Sequence, residues 1–222
     1  MRIIAFGDIH GDLGNFASIP GLSQADLVVL TGDLTNFGGR EDAATVLQQV
    51  RAVHTKILAL PGNLDKKDVN ALLDDEGITL HGRGRRIDAS VALHGVGGSN
   101  ITPFATPNEY SEEEIADLLA AGFNEIADAV RNGSVHLLVA HPPPLNTKTD
   151  KISAGVHVGS QAVRQFIETH QPALCLTGHI HEARAVDTIG ATTIINPGMM
   201  QDGGYIDISI QGNVAAASIG RI

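Results

Sequence analysis

Eight short apolar runs punctuate this chain, and none is longer than a β-strand: Arg2 to Gly7, Leu27 to Leu30, Lys56 to Leu60, Val91 to Val96, Val135 to Ala140, Ala173 to Thr177, Thr192 to Ile195 and Tyr205 to Ile210. Between them the apolar spacing becomes helical over Glu41 to Val53, Lys66 to Asp75, Ser111 to Val130 and Ser160 to Thr169. The third of these is opened by a capping box at Ser111 and Glu114. Strand alternates with helix through the first two-thirds of the chain, whereas the last forty or so residues read as strand after strand. That order predicts an α/β fold with a second sheet packed on the first.

Polar residues with metal-binding chemistry sit where these runs end. Asp8 and His10 follow the first strand, Asp33 the second, Asn63 the third, His141 a later one, and His179 with His181 another. In open α/β sheets, loops leaving the carboxyl ends of neighbouring strands converge on a rim where ligands bind. Two carboxylates, four imidazoles and one amide carbonyl suit Mn, Fe, Zn, Ni or Co and suit calcium poorly. Seven ligands are too many for one ion, but two cations about 3.5–4 Å apart that share a bridging carboxylate would use them all. Gly32, Gly62 and Gly178 precede ligands at points where a Cβ would crowd such a cleft.

Length and composition narrow the field. With 222 residues, 43% hydrophobic and 18% charged, one domain over 1–222 is expected. No apolar stretch approaches the roughly 20 residues of a membrane helix, and neither a signal peptide nor a membrane partner is expected. A single cysteine, Cys175, rules out an internal disulfide and points to the cytoplasm. The net charge of −10 disfavours a nucleic-acid partner, because the one basic run, Arg83-Gly84-Arg85-Arg86, reads as a solvated turn. A small phosphoester is the expected substrate. Oligomeric state is open, since an unpaired edge strand in the tail could dimerise or be covered by its own loops.

Taken in order, Asp8-x-His10, Gly32-Asp33, Gly62-Asn63-x-Asp65, His141 and Gly178-His179-x-His181 resemble the blocks of the calcineurin-like metallophosphoesterase superfamily. The likeness spans about residues 2 to 200. It implies a four-layer α/β/β/α sandwich with two mixed sheets, and two divalent transition-metal ions with Mn first among the candidates. One ion would be held by Asp8, His10, Asp33 and His181, the other by Asp33, Asn63, His141 and His179. Asp33, Asn63 and His141 are the residues expected at the heart of catalysis, which would be hydrolysis of a phosphodiester or phosphomonoester by a bridging hydroxide. Gly178-His179-Ile180-His181-Glu182, Asn196-Pro197-Gly198 and Gly159-Ser160-x-x-x-Arg164 are similar to the small single-domain prokaryotic branch, which is phosphodiesterase-like.

Two positions depart from the family pattern. Leu64 stands where many members carry a histidine that protonates the leaving oxygen, so diesters and leaving groups that need little protonation are favoured. Asn36 replaces a second carboxylate and could still hydrogen-bond in the cleft. Asp65 is expected either to orient a ligand histidine or to cap the helix at Lys66. His157, in a glycine-rich loop, is a candidate for the missing acid; His54, His81, His136 and His170 read as surface or core residues. Pro142, Pro143 and Pro144 could form a substrate wall or merely end a strand, and Glu112, Glu113 and Glu114 read as first-turn charges. The alternative to an enzyme is a catalytically weak metal-binding scaffold of the same fold, which an exposed apolar patch would favour.

Overall fold

The computed structural model describes residues 1–222. Side chains alternate across β1 (Arg2–Phe6): Ile4 and Phe6 face a helical layer, while Ile3 and Ala5 face a second sheet. The chain continues through β2 (Leu27–Leu30), α1 (Arg40–Arg51), β3 (Ile57–Ala59) and α2 (Lys67–Asp75). Three strands follow, β4 (Gly84–Arg86), β5 (Val91–Val96) and the two-residue β6 (Ser99–Asn100), then β7 (Glu109–Tyr110) and the long α3 (Glu112–Arg131). After β8 (Val135–Ala140), α4 (Gln161–His170) and β9 (Leu174–Leu176), the tail is β10 (Ala185–Ile189), β11 (Thr192–Asn196), β12 (Gly204–Gln211) and β13 (Val214–Arg221).

One sheet has the order β13-β12-β1-β2-β3 and the other β10-β11-β9-β8-β5-β4, and both mix parallel with antiparallel pairs. Three apolar clusters separate the layers. The first joins Ile4, Phe6, Val28 and Leu30 to Val46, Leu47, Val69 and Leu73 of α1 and α2. The second joins Ile3, Val29 and Leu60 to Leu93, Leu137 and Leu176 of the other sheet, and the third joins Leu138 and Cys175 to Leu119 of α3 and Val163 of α4. This is the expected α/β/β/α sandwich. No helix is long and apolar enough to cross a membrane.

The tail corrects one expectation. Its strands do not form the second sheet alone, because β10 and β11 extend one sheet while β12 returns antiparallel to β1 and brings β13 to the edge of the other. The arginine run is likewise no turn: Gly84 to Arg86 is edge strand β4, paired with β5, and Arg83 holds Glu125 of α3 at 3.1 Å. Glu112 does more than favour its own helix dipole. Its carboxylate accepts from the Ser160 hydroxyl at 2.7 Å and the Ala162 amide at 2.8 Å, tying the start of α3 to the start of α4. The three prolines are strand terminators, with Pro143 and Pro144 carbonyls accepting from Ser160 and Thr147.

Beneath α3 and α4, His94 and His136 lie 5.0 Å apart between Phe123 and Phe166, and none of their four ring nitrogens has a hydrogen-bond partner. Burial lowers His136 to about 4 and holds His94 well below the ordinary histidine range. Both are therefore neutral when folded, whereas the unfolded chain protonates them below about pH 6.5. Unfolding then takes up protons, so stability should fall as pH drops below about 6.5, with His136 contributing about 1.4 kcal/mol per unit down to about pH 4 and His94 acting in the same direction. Urea denaturation at pH 7 and pH 5 checks this: His136→Leu should lose about 2 kcal/mol less than the wild type over that interval.

Candidate metal centre

The seven expected side chains do meet, at the carboxyl ends of β1, β2, β3, β8 and β9. His10 Nε2 lies 3.1 Å from His181 Nε2, which is 3.2 Å from Asp8 Oδ1. One ligand atom from each of Asp8, His10, Asp33 and His181 fits within 4.8 Å of all the others. On the other side of Asp33, His141 Nε2 is 3.5 Å from its Oδ2 and 3.3 Å from Asn63 Oδ1, which is 2.8 Å from His179 Nδ1. Asp33 is common to both groups.

Loops of unusual backbone hold this cluster. Asp8, His10, Asp33 and His179 all have left-handed φ, between 47° and 68°, a region that costs L side chains about 1–3 kcal/mol each. The glycines before them answer to crowding. At Gly32, where φ is 116°, a Cβ would overlap the His141 ring, and at Gly62 it would overlap the Asp33 backbone and carboxylate. At Gly178 it would meet Asp8 Oδ2.

The donors are also oriented. His141 Nδ1 is 2.8 Å from the Thr31 carbonyl, which can only accept, so that nitrogen carries a hydrogen and Nε2 faces Asp33 and Asn63. Asn63 Nδ2 donates to the Thr106 hydroxyl at 3.1 Å, and that hydroxyl donates to Glu109 at 2.7 Å, which leaves the Asn63 carbonyl aimed at the two histidines. Asn196 Nδ2 donates to the Ile180 carbonyl at 2.9 Å and pins the turn that carries His179 and His181.

The electrostatics of the cluster suit a cation. Asp8 Oδ2 is buried with no hydrogen-bond partner. Burial lowers His10, and burial with the His141 charge lowers His179 to about 4. At His141, burial is outweighed by the Asp33 carboxylate and the pKa rises to about 9; at His181, the hydrogen bond and charge of Asp8 outweigh burial in the same way. An orphaned carboxylate oxygen, facing ring nitrogens and mixed O/N donors are what a divalent transition ion satisfies, so the residues fit such a group.

Asp65 takes neither expected role. Its Oδ2 accepts from the amides of Gly62 at 2.8 Å and Leu34 at 3.1 Å, and its Oδ1 from the Thr35 amide at 2.8 Å and hydroxyl at 2.7 Å. It thus clasps the Asp33 loop to the Asn63 loop, while Lys66 is the residue that precedes α2. Despite four donors, burial and the Asp33 charge push its pKa up to about 6. Asn36 is exposed. His157 is held by the buried Asp150 at 2.6 Å and does not line the cleft. Leu64 is half-buried, and its amide donates to Asp33 Oδ1 at 2.8 Å. Sequence reasoning did not find Thr106 and Glu109, because a threonine and a glutamate in a loop carry no signal of contact with Asn63.

An uncharacterized protein of Methanocaldococcus jannaschii is 36% identical over 205 residues, covering 89% of this chain and 88% of that one. A crystal structure from Thermus thermophilus has a TM-score of 0.70 at 19% identity, covering 98% of this chain and 97% of that one. A Danio rerio dimetal phosphatase has a TM-score of 0.69 at 13% identity and covers 98% of both chains. The sequence profile of the calcineurin-like phosphoesterases runs through residues 1–183, from β1 past the His179 and His181 turn, and takes in every side chain of the cluster. By that match, which covers most of its length, the chain belongs to the calcineurin-like phosphoesterase family.

Proposed function

We propose that this protein is a metal-dependent phosphoesterase that hydrolyses a small-molecule phosphate ester, with diesters preferred over monoesters. The observation that carries the reading is the sharing of Asp33 between two donor groups, one with Asp8, His10 and His181, the other with Asn63, His141 and His179. Divalent ions held there, manganese first among them, would polarise the phosphoryl oxygens and lower the pKa of a water. The chain's own residues set the geometry. Asp33, fixed by the Leu64 amide, presents Oδ2 to the site; Asn63, turned by Thr106, presents its carbonyl; His141, anchored on Thr31, presents Nε2.

Leu64 supports the diester preference. A leucine gives no proton to a departing alkoxide, and His157 is engaged with Asp150, so alcohols that leave without protonation are the better substrates. A small substrate is supported by the acidic balance of the chain. The buried, unpaired Cys175 supports the cytoplasmic setting. An exposed apolar patch away from the site would instead favour a scaffold, but Phe104, the most exposed large apolar side chain at 83%, lines the cleft beside the ligands.

The test is hydrolysis of bis(4-nitrophenyl) phosphate and 4-nitrophenyl phosphate by Mn²⁺-reconstituted and metal-stripped protein. Cleavage only with metal, and faster for the diester, is expected; cleavage of neither ester with any of Mn²⁺, Ni²⁺, Co²⁺ or Zn²⁺ would overturn the reading. A further prediction concerns Thr106→Val, which removes the hydroxyl that orients Asn63. Calorimetric titration should give a Mn²⁺ affinity about 10- to 100-fold weaker than wild type, with Thr106→Ser close to wild type.

A further inference from the structure

Beside the metal-binding group lies a cavity of about 580 Å³, a size that takes a small organic molecule. Asn63, His179 and His181 form its inner end, so whatever fills it adjoins the reacting phosphate. Most of the surface that lines it is apolar, although polar side chains such as Asn100 and Thr102 share it. Ile101, Phe104, Ile152 and Val158 line it, and so does Ile180, which lies between His179 and His181 in sequence. Ile101 and Phe104 are 65% and 83% exposed, a large apolar area to leave in water unless something covers it.

The walls are built rather than loose. Asn100 Nδ2 donates across to the Val158 carbonyl at 3.2 Å. The Phe104 amide donates to the Thr102 hydroxyl at 3.1 Å, and that hydroxyl donates at 2.6 Å to Glu109, the carboxylate that also holds Thr106 against Asn63. Glu182 accepts from the Ser153 amide at 3.2 Å and ties the Ile152 segment to the His181 turn. Charge then narrows the occupant. No lysine or arginine lines the cavity, and its one carboxylate is Glu182, so away from the metal-binding end a second phosphate would find no cationic side chain and would meet a like charge.

We propose that this cavity seats the organic group of the substrate, and that the substrate is a phosphate ester with a single phosphate and an uncharged, apolar substituent about the size of an aromatic ring. This specificity rests on the phosphoesterase reading above. Nucleoside polyphosphates and phosphates of acidic metabolites are excluded by the same walls.

Three phosphonates test it on the Mn²⁺-loaded full chain by calorimetry: methylphosphonate, phenylphosphonate and 4-carboxyphenylphosphonate. The phenyl compound should bind about 10- to 100-fold more tightly than the methyl compound, the gain expected for covering one ring. The carboxylate should cancel most of that gain. Phe104→Ala, which truncates an exposed side chain and so spares the fold, should narrow the phenyl-to-methyl ratio several-fold. Equal affinities, tightest binding of the carboxylate, or a ratio unmoved in Phe104→Ala would overturn the proposal. Hydrolysis of bis(4-nitrophenyl) phosphate, followed alongside, reports on the phosphoesterase reading separately: ester cleavage with a flat phosphonate series removes the cavity assignment alone. No cleavage with a steep series removes the hydrolase and leaves a binding pocket for a phenyl-bearing anion.

Discussion

Replacing Asp33 by Asn should lower metal-dependent ester hydrolysis by at least about 10³-fold while leaving the fold in place. The size follows from what the carboxylate does. It is 2% exposed and stands between the two donor groups, so both depend on it. Losing a shared anionic ligand forfeits several kcal/mol of transition-state stabilisation, and each 1.36 kcal/mol is about tenfold in rate. Survival of the fold follows from the same geometry. Asparagine tolerates the left-handed φ of 47° and can still accept from the Leu64 amide at Oδ1, but its NH₂ then occupies the Oδ2 position and cannot ligate. Steady-state rates with Mn²⁺ and metal stoichiometry after dialysis check the prediction. A variant that retains rate and metal would remove Asp33 from the centre.

The largest effect on stability should come from Asp65→Ala. Four donors converge on this fully buried carboxylate, and the alanine leaves the amides of Leu34, Thr35 and Gly62 without their acceptor and the Thr35 hydroxyl with only the Gly38 carbonyl. Hydrogen bonds to a charged acceptor contribute about 1.5–3 kcal/mol each but are not additive, and water can enter the vacated space. A loss of about 3–5 kcal/mol is expected, or roughly 10 °C in Tm for a chain of this length. Asp65→Asn should recover only part of it, since an amide nitrogen faces donors where an oxygen accepted them. Urea denaturation gives the number, and a loss under about 1 kcal/mol would show that the clasp is dispensable. Because the clasp holds the Asp33 and Asn63 loops together, Mn²⁺ affinity should fall in the same variant.

The strands that carry the site were legible because each is an apolar run that stops at a side chain with ligand chemistry, and the parallel register of β1, β2 and β3 then brings their ends together. Strands without that contrast were hidden. Gly84 to Arg86 is two-thirds arginine, and Val214 to Arg221 is built around Ala215, Ala216 and Ala217, too small to give a strong two-residue alternation. The division of the tail between two sheets is a matter of partners far apart in sequence. Ile208 pairs with Ile3, and no local pattern encodes that. The site shows the same limit. Side chains with metal-binding chemistry could be read one at a time, whereas the groups that aim them, Thr106 on Asn63 and Asp65 on the Asp33 loop, act through contacts 43 and about 30 residues away along the chain. Asp65 is instructive here: its place before a helix invites a capping role, but the loops of Asp33 and Gly62 come close enough to take all four of its hydrogen bonds.

The most direct test of the account is the anomalous difference map of crystals grown with Mn²⁺. Two peaks are predicted, one among Asp8, His10, Asp33 and His181 and the other among Asp33, Asn63, His141 and His179, with Asp33 touching both. No peak at this rim, or a single peak that leaves Asn63, His141 and His179 without an ion, would contradict it.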